Sequence, residues 1–366
     1  IAGNVRYVIH RPVIGTARLP FLSRVPDHTD LAPHHPGLAR WLPAYDAVHT
    51  TDALFNFAKT AARVARGFNI PLTNSIHTDM PRYARIYTAA TMEGIVGEQV
   101  ARGLLRHCRV HEWAERGAWA ALASHQRRCR FALVALSDEY QRACRVLPAS
   151  RVRYLRRGID RTIFSPDWRD RAWLERTHGI APDRFVILFV GRIDRGKNVL
   201  TLAAAVRDLV ERGHPAHLVC AGRGPDDETV RDMLGPCVTF PGFVGGETLS
   251  RLYASADAYC SPSEIEVCGN VVMEALASGL PVLVSEAGGM SRAFKDEQSG
   301  LVVRGAGTAP WVAALGRLLA EPARARALGR AARDEAAHRL PTWRDVLVED
   351  LLPVWRHAAA EGASNR

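Results

Sequence analysis

The sequence lacks the features that define several large classes of protein. Its 366 residues contain no run of about 18 apolar residues, the length that a membrane-spanning helix needs, so an integral helical membrane protein is excluded. It has no repeat period and no low-complexity segment, and its length favours two folded domains. The first residues carry neither a basic region with an apolar stretch nor a small-residue cleavage site, so we do not expect secretion.

Cysteine is scarce and scattered. The seven cysteines form no Cys-x-x-Cys pair and no Cys/His cluster at zinc spacing; they are Cys108, Cys129, Cys144, Cys220, Cys237, Cys260 and Cys268. This pattern favours a reducing compartment, so we expect a cytoplasmic protein. Most of these cysteines lie in apolar segments, which predicts that they are small core residues.

Positive charge is present in excess and is unevenly distributed. The net charge is +10, but residues 1–165 hold 24 Lys and Arg against 12 Asp and Glu, whereas residues 166–366 hold 24 against 26. A basic half is typical of a nucleic-acid surface, a membrane-facing surface or a site for phosphorylated substrates, and composition does not choose among them.

Strand and helix signals alternate along the chain, which predicts parallel sheets and an α/β fold. Residues 185–190 are a continuous apolar run, the pattern of a strand buried on both faces. A polar segment with glycine and proline, residues 158–166, predicts a boundary between an N-terminal domain, 1–165, and a C-terminal domain, 166–340. We expect two Rossmann-like doubly wound domains that face a cleft, with ligands bound where the strands end.

The loop after this apolar run carries three cations, Arg192, Arg195 and Lys197, within six residues. It follows a predicted strand and precedes a predicted helix, so its charges could neutralise a diphosphate without metal. A solvated turn is the alternative for the three cations taken alone.

A second segment, residues 262–281, runs from a strand end through a glycine turn into a helix that begins near Gly269 or Asn270. Free backbone N–H groups at such a helix start can bind an anion or sugar hydroxyls. Glu266 in the loop and Glu274 in the helix could accept hydrogen bonds from the hydroxyls of one ligand. Two surface glutamates beside a helix start are the alternative interpretation.

Several motifs occur together in a characteristic order. They are Gly191-Arg192 with Lys197, Gly242-Phe243, Ala256-Asp257 leading to Pro262-Ser263, Glu266 with Glu274, and Gly279-Leu-Pro281-Val282. With this order the chain resembles the family 4 retaining glycosyltransferases, whose GT-B architecture consists of two Rossmann-like domains. The resemblance is strong over about residues 158–303, moderate over 46–80 and 130–166, and weak elsewhere.

The resemblance implies how the C-terminal domain would bind a nucleotide-sugar. Arg192 and Lys197 would bind the diphosphate, and Glu274 would hold the ribose hydroxyls. The loop that contains Val244 resembles the one that contacts the nucleobase. The transferred sugar would be held by one carboxylate and three backbone groups, those of Glu266, Cys268, Gly269 and Asn270.

In the N-terminal domain, His77 matches a strand-end histidine that lies near the sugar in relatives and helps to orient it, so the resemblance implies catalytic roles for His77 and Glu266. A hydrogen-bonded interior histidine is the alternative for His77. Asp79, Arg82 and Tyr83 follow it and are candidates for the acceptor side. Residues 341–366 resemble the final helix that crosses back to the N-terminal domain in this architecture, with a surface helix as the alternative.

The chain contains no Asp-x-Asp, the usual metal-diphosphate ligand pair of the other large glycosyltransferase class. We therefore expect no metal and no cofactor, with the Arg/Lys loop stabilising the charge of the departing nucleoside diphosphate. The retaining outcome is implied by the family, and no nucleophile is assigned.

Among the departures from the family, one concerns the sugar site and one the start of the N-terminal domain. Cys268 lies where relatives usually have a bulky aromatic residue. The family also begins with a strand, a glycine-rich loop and a helix, and no such unit precedes Ile9 in this sequence. The N-terminal domain is therefore expected to lack this unit in the given chain.

The segment Arg102–Arg130 holds seven arginines against two glutamates and includes Trp113 and Trp119. Basic residues interleaved with tryptophan suit an anionic membrane interface, with an ordinary solvated helical pair as the alternative. In related enzymes the first domain binds the acceptor, often a lipid or a lipid-linked glycan. No RNA- or DNA-binding module is recognisable, so we expect no nucleic-acid partner.

The sequence thus predicts a metal-independent, retaining glycosyltransferase that moves a sugar from a UDP- or GDP-sugar to a lipid or glycan in envelope glycolipid or polysaccharide biosynthesis. It would be cytoplasmic, peripheral at the inner face of the membrane. A catalytically degenerate sugar-nucleotide-binding protein is the alternative, because of the missing first loop.

Overall fold

The computed structural model describes residues 5–15, 30–264, 266 and 269–364. The chain divides into two compact units. The first unit consists of Ile1–Leu155 and Val348–Arg366, and the second unit of Arg156–Leu347. Each unit contains a parallel sheet with helices, so the predicted α/β class is confirmed.

The unit boundaries differ from the predicted ones. The first boundary follows Leu155, ten residues before the predicted one at residue 165. The second follows Leu347, seven residues after the predicted one at residue 340. The polar segment before residue 166 belongs to the second unit because it bonds and packs there. The Ile159 N–H donates to the Pro341 oxygen at 3.0 Å, and the Phe164 ring meets the Tyr253 ring edge-on at 5.7 Å.

In the first unit, the described residues form a four-stranded parallel sheet in the order β1-β2-β3-β4. The strands are β1 (Val48–Thr50), β2 (Leu72–Ser75), β3 (Phe131–Val134) and β4 (Val152–Tyr154). The helices are α1 (Pro36–Trp41), α2 (Asn56–Gly67), α3 (Met80–Val96), α4 (Glu98–His107), α5 (Val110–Gln126) and α6 (Ser137–Ala143).

The described residues of the second unit form a six-stranded parallel sheet. Its strands are β5 (Phe185–Val190), β6 (Ala216–Ala221), β7 (Val238–Gly242), β8 (Ala258–Ser261), β9 (Val282–Ser285) and β10 (Gly300–Val303). Its helices are α7 (Arg171–His178), α8 (Val199–Glu211), α9 (Asp227–Leu234), α10 (Gly246–Ser255), α11 (Asn270–Ala277), α12 (Ala309–Ala320), α13 (Pro322–Arg339) and the short α14 (Trp343–Asp345).

Strand β5 lies inside this sheet and is buried on both faces. Ile187 and Phe189 belong to one apolar cluster, which includes residues of α8, α9 and α12. Val186 and Leu188 point to the opposite face and belong to a second cluster with residues of α7, α10 and α11. This alternation explains why an unbroken apolar run forms a strand here, since both faces of the sheet are covered by helices.

The last residues belong to the first unit. A turn of π-helix, Val346–Leu351, leads into α15 (Leu352–Ser364). The His357 ring meets the Phe131 ring edge-on at 5.3 Å, and Glu361 forms an ion pair with Arg130. Gly362 lies so close to Pro71 that a Cβ atom on the glycine would be 2.8 Å from the proline ring.

Four cysteines are buried, as predicted for core residues: Cys129, Cys220, Cys237 and Cys260. Cys144 is half-buried, and Cys108, which follows the end of α4, is exposed. Cys268 lies outside the described residues.

Candidate functional site

The second sheet has a switch point between two neighbouring strands. The sheet order is β10-β9-β8-β5-β6-β7, so the chain proceeds to one side of β5 through β6 and β7 and to the other side through β8, β9 and β10. Ligands of open α/β sheets bind beyond the carboxyl ends of the strands at such a point. The loop after β5 is the basic segment that carries Arg192 and Lys197. The loop after β8 is the segment that carries Glu266.

The loop after β5 is packed tightly against the loop after β6. A Cβ atom on Gly222 would lie 1.9 Å from the Gly191 oxygen, and one on Gly224 would lie 2.0 Å from the Ile193 oxygen. Only glycine permits this approach, which fixes the backbone of the β5 loop on both sides of Arg192.

Asp194 organises the charged part of this loop, and its side chain is only 7% exposed. Its carboxylate accepts a hydrogen bond from the Lys197 N–H at 3.0 Å and lies 2.6 Å from the Arg192 guanidinium. The side chain thus caps the short 3₁₀ turn Arg195–Lys197 and orients Arg192. Asp194 is not among the residues predicted from the sequence, although an Asp directly before a helical turn is a capping signal.

An ion pair joins the two loops of the switch point. The Lys197 ammonium bonds to a carboxylate oxygen of Glu266, and both side chains are about one-fifth exposed. A longer second link runs from the Asn198 amide to the Pro262 oxygen at 3.5 Å. The structure therefore brings together Lys197 and Glu266, which are 69 residues apart in the chain.

The acidic loop has a defined backbone around Glu266. The backbone oxygen of Glu266 accepts a hydrogen bond from the Gly289 N–H at 2.8 Å. A Cβ atom on Gly269 would lie 3.3 Å from the Met290 sulfur, so the glycine permits a close approach. Gly269 is buried at the start of α11, and Asn270 is its exposed first residue.

Glu274 is half-buried in α11, where its carboxylate accepts a hydrogen bond from the Tyr253 hydroxyl at 2.9 Å. Burial raises the pKa of Glu274, and the tyrosine bond opposes that rise in part. Burial also raises the pKa of Tyr259 well above its ordinary value, and the charges of Glu274 and Glu266 add to the effect. Both glutamates therefore lie within electrostatic range of Tyr259.

The predicted nucleobase loop follows β7. Val244 is half-buried and packs against the second apolar cluster, whereas Phe243 beside it is 92% exposed. The packed valine anchors a loop whose phenylalanine projects into solvent.

In the first unit, His77 lies at the end of β2 and is half-buried. Its Nε2 lies 2.5 Å from the Ser75 hydroxyl, and the same hydroxyl lies 2.9 Å from Nε2 of His49. Burial lowers the pKa of His49 to about 4, so this ring is neutral near pH 7. Neither His49 nor Ser75 is among the residues predicted from the sequence. His49 reaches Ser75 only through the pairing of β1 with β2, whereas Ser75 lies two residues before His77 in the chain.

A partly open pocket lies next to this strand end. Its wall is largely apolar and includes Asp79, Trp119, Gln126, Glu139 and Arg142. Burial raises the pKa of Glu139. The buried Nε2 of Gln126 has no hydrogen-bond partner among the described residues.

The three acceptor candidates are placed differently. Asp79 lines the pocket and caps α3 by accepting the Arg82 N–H at 3.2 Å. Arg82 is half-buried, and Tyr83 is buried with its ring stacked at 5.5 Å on that of Tyr87.

The basic segment forms most of α4 and all of α5. Trp113 is 67% exposed, and Val100 on α4 is also exposed, whereas the Trp119 ring is covered by the Arg142 guanidinium at 4.6 Å. Part of the charge is paired within α5, where Glu112 lies 3.4 Å from the Arg116 guanidinium. In the described part of the chain, no helix is both long and apolar enough to cross a membrane.

A family model described as "Glycosyl transferases group 1" matches residues 170–335. A D-inositol 3-phosphate glycosyltransferase of Acidothermus cellulolyticus is 30% identical over 335 residues, which covers 87% of this chain and 68% of that protein. The sulfoquinovosyl transferase of Arabidopsis thaliana is 28% identical over 295 residues, which covers 79% of this chain and 52% of that protein. The chain spans 42–64% of the lengths of three curated relatives that it matches, the Arabidopsis enzyme among them.

Among solved structures, Anabaena HepE in complex with UDP-glucose has the same fold, with a TM-score of 0.63 and 16% identity. The match covers 90% of this chain and 81% of that chain.

Proposed function

The chain belongs to the group 1 glycosyltransferases, and we propose that it transfers a sugar from a UDP- or GDP-sugar to a lipid or glycan acceptor in envelope glycolipid or polysaccharide biosynthesis. The observation that carries this proposal is the ion pair of Lys197 with Glu266 at the switch point, beside Arg192. Cations for a diphosphate and a carboxylate for hydroxyl groups are thereby joined where an α/β sheet binds its ligands.

Each donor group has a candidate partner. Arg192 and Lys197 would meet the diphosphate, exchanging their present carboxylate partners, Asp194 and Glu266, for phosphate oxygens. Glu266, once released from Lys197, could accept hydrogen bonds from the sugar hydroxyls, as the backbone of Gly269 and Asn270 could donate to them. The complex of Anabaena HepE with UDP-glucose supports a nucleotide-sugar as the donor class.

Glu274 would hold the ribose, and the loop with Val244 would lie against the base. His77, at the strand end of the first unit, is assigned to orientation of the transferred sugar. The backbone of Cys268 is assigned to binding of the transferred sugar; this residue lies outside the described part of the chain.

We propose that transfer retains the anomeric configuration and needs no metal. As the nucleoside diphosphate departs, negative charge grows on the phosphate oxygens. Arg192 and Lys197 could stabilise this charge more strongly in the transition state than in the ground state.

The pocket beside Asp79 supports an acceptor site in the first unit, since its wall combines apolar surface with polar groups. The exposed Trp113 and Val100, together with the arginines of α4 and α5, support attachment to the inner face of an anionic membrane. A lipid acceptor would suit both features.

The test is nucleotide release from UDP- and GDP-sugars in the presence of membrane lipid extract. We expect the Arg192→Ala/Lys197→Ala variant to bind donor about ten- to hundredfold more weakly, because each change removes a charge-assisted hydrogen bond. Arg195→Ala is the matched control, since it removes an exposed cation of the same loop that has no assigned phosphate role.

Unchanged donor affinity in the double variant would contradict the diphosphate assignment. Tight donor binding by the wild-type protein with no turnover on any extract would favour the alternative function, a degenerate sugar-nucleotide-binding protein.

A further inference from the structure

The pocket of the first unit contains a buried amide group. Gln126 is the last residue of α5, is only 4% exposed and lines the pocket. Its Nε2 has no hydrogen-bond partner among the described residues. A buried donor without a partner lowers the stability of the fold, so a ligand that accepted this hydrogen bond would recover the lost interaction.

Two carboxyl groups line the same pocket, those of Asp79 and Glu139. Each uses one oxygen to bind nearby backbone. Glu139 Oε2 accepts the N–H groups of Ala135 and Leu136 at 3.0 and 3.1 Å, and Asp79 Oδ1 accepts that of Arg82 at 3.2 Å. The second oxygen of each carboxyl group is left for a ligand.

The two carboxyl groups also affect each other. Burial raises the pKa of Glu139, and the charge of Asp79 adds to that rise. They therefore lie within electrostatic range of each other, which a negatively charged ligand would have to enter.

The rest of the wall is mainly apolar. The Trp119 ring lines the pocket and is held by the Arg142 guanidinium, which lies 4.6 Å from the ring centre. Aliphatic side chains such as Leu122 and Val146 complete the wall. A ligand that fills the pocket thus needs an apolar surface as well as polar groups.

This combination selects among classes of ligand. An acyl chain would cover the apolar wall but would leave the Gln126 N–H without a partner. A phosphate group would bring negative charge towards Asp79 and Glu139. A hydroxyl group both donates and accepts, so it can pair with the amide and with a carboxyl group in either protonation state. A sugar ring joins such hydroxyl groups to apolar C–H faces and matches the whole wall.

We propose that this pocket binds a neutral sugar ring and that Gln126 is a specificity-determining residue, whose amide donates a hydrogen bond to a hydroxyl oxygen of that ring. A lipid acceptor would then present a terminal sugar to the pocket. The identification of this sugar with the acceptor rests on the proposed function, whereas the binding of a neutral sugar does not.

The first test follows the indole N–H signal of Trp119 by NMR of the full chain, assigned with the Trp119→Phe variant. The probes are the methyl glycosides of glucose, galactose and mannose, with decanoate and inorganic phosphate for comparison. We expect at least one methyl glycoside to shift the signal saturably at millimolar concentration. No response to any of the three sugars, or an equal response to decanoate or phosphate, would overturn the proposal.

The second test removes the amide. Gln126→Leu has a similar volume and no buried N–H, so we expect an unchanged or higher Tm together with a roughly tenfold loss of affinity for the methyl glycoside. Unchanged affinity would contradict the recognition role. A lower Tm would show that the amide has a partner within the fold and would count against the proposal.

Gln141→Leu is the matched control. Gln141 is exposed on α6, next to the pocket residue Arg142, and is not part of the pocket wall. This variant should keep the affinity of the wild-type protein for the methyl glycoside. Equal losses in the two leucine variants would indicate a general disturbance of the helices and would refute the role of Gln126.

Competition separates this inference from the proposed function. The methyl glycoside that binds best should lower the transfer of labelled sugar from a UDP- or GDP-sugar to membrane lipid extract, since both would occupy one pocket. Binding without any effect on transfer would support the sugar site and contradict its assignment to the acceptor. Absence of transfer from every donor would contradict the proposed function and would leave the NMR result in force.

Discussion

At the scale of single residues, the proposed role of Glu274 in binding ribose is opposed to its effect on stability. Its carboxylate is half-buried and bonded to Tyr253, and burial raises its pKa in the folded protein. Between the unfolded pKa and this raised value, the folded state binds more protons than the unfolded state. The contribution of Glu274 to stability is therefore present at low pH and is lost as the pH rises through that window.

Glu274→Gln should remove the loss of stability that occurs as the pH rises, while it weakens the binding of donor. The amide oxygen can still accept the Tyr253 proton, but no charge is buried, so the gain in Tm over wild type should increase as the pH rises through the Glu274 pKa. The donor KM should rise about tenfold, because a charge-assisted bond to ribose is replaced by a neutral one. Thermal unfolding across pH, together with donor kinetics, measures both effects.

Glu264→Gln provides the control, since Glu264 is exposed and lies in the same segment. A Tm difference for Glu274→Gln that does not change with pH would contradict the cause given for its raised pKa. An unchanged donor KM would contradict the ribose assignment.

Sequence reasoning identified Lys197 and Glu266 from separate local motifs but could not predict that they pair. Their contact depends on β5 lying next to β8, which follows from the sheet order and not from either motif. The same limit applies to His49, whose contact with Ser75, two residues before His77, depends on the register of β1 and β2.

At the scale of elements, the second unit was the more predictable. Most of its strands, such as β5, are mainly apolar and buried, so their bounds are visible in the sequence; β7 is the half-buried exception. The strands of the first unit are shorter and partly polar, as in β2 (Leu72–Ser75), so the sequence marks their bounds less clearly. The first domain boundary was misplaced because backbone bonds such as that from Ile159 to Pro341 attach the connecting segment to the second unit.

The helices α4 and α5 allow a test of membrane attachment. Trp113→Ser removes the most exposed tryptophan of the basic segment, and we expect binding to vesicles with anionic lipid to fall severalfold while binding to neutral vesicles remains weak. Co-sedimentation with vesicles of phosphatidylglycerol and phosphatidylcholine measures this change.

Trp343→Ser is the matched control, because Trp343 is also exposed but lies in the second unit. Equal losses in the two variants, or wild-type binding unaffected by anionic lipid, would contradict a membrane role for α4 and α5.

At the scale of the whole molecule, the excess of positive charge lies in residues 1–165, where 24 Lys and Arg face 12 Asp and Glu, and this half includes the proposed acceptor pocket. The proposed donor site depends on two local cations. Among the described residues, no group of three or more His, Cys, Asp or Glu side chains is arranged to hold a metal ion. Independently of that finding, the proposed chemistry assigns the diphosphate charge to Arg192 and Lys197, the cations of the β5 loop.

Removal of divalent cations should leave turnover within about twofold of its original value if these two cations alone stabilise the leaving group. The measurement is nucleotide release before and after treatment with EDTA, with Mg²⁺ and Mn²⁺ added back separately. A loss of activity that either ion restores would overturn metal-independent transfer.

The assignment of α15 to the first unit has a consequence for biosynthesis. All residues of the second unit, Arg156–Leu347, are translated before the segment that contributes Trp355 and Glu361 to the first. The second unit can therefore complete its fold on the ribosome while the first sheet still lacks one covering helix. The unit that begins first is finished last, and its exposed surface is then a natural site for chaperone binding.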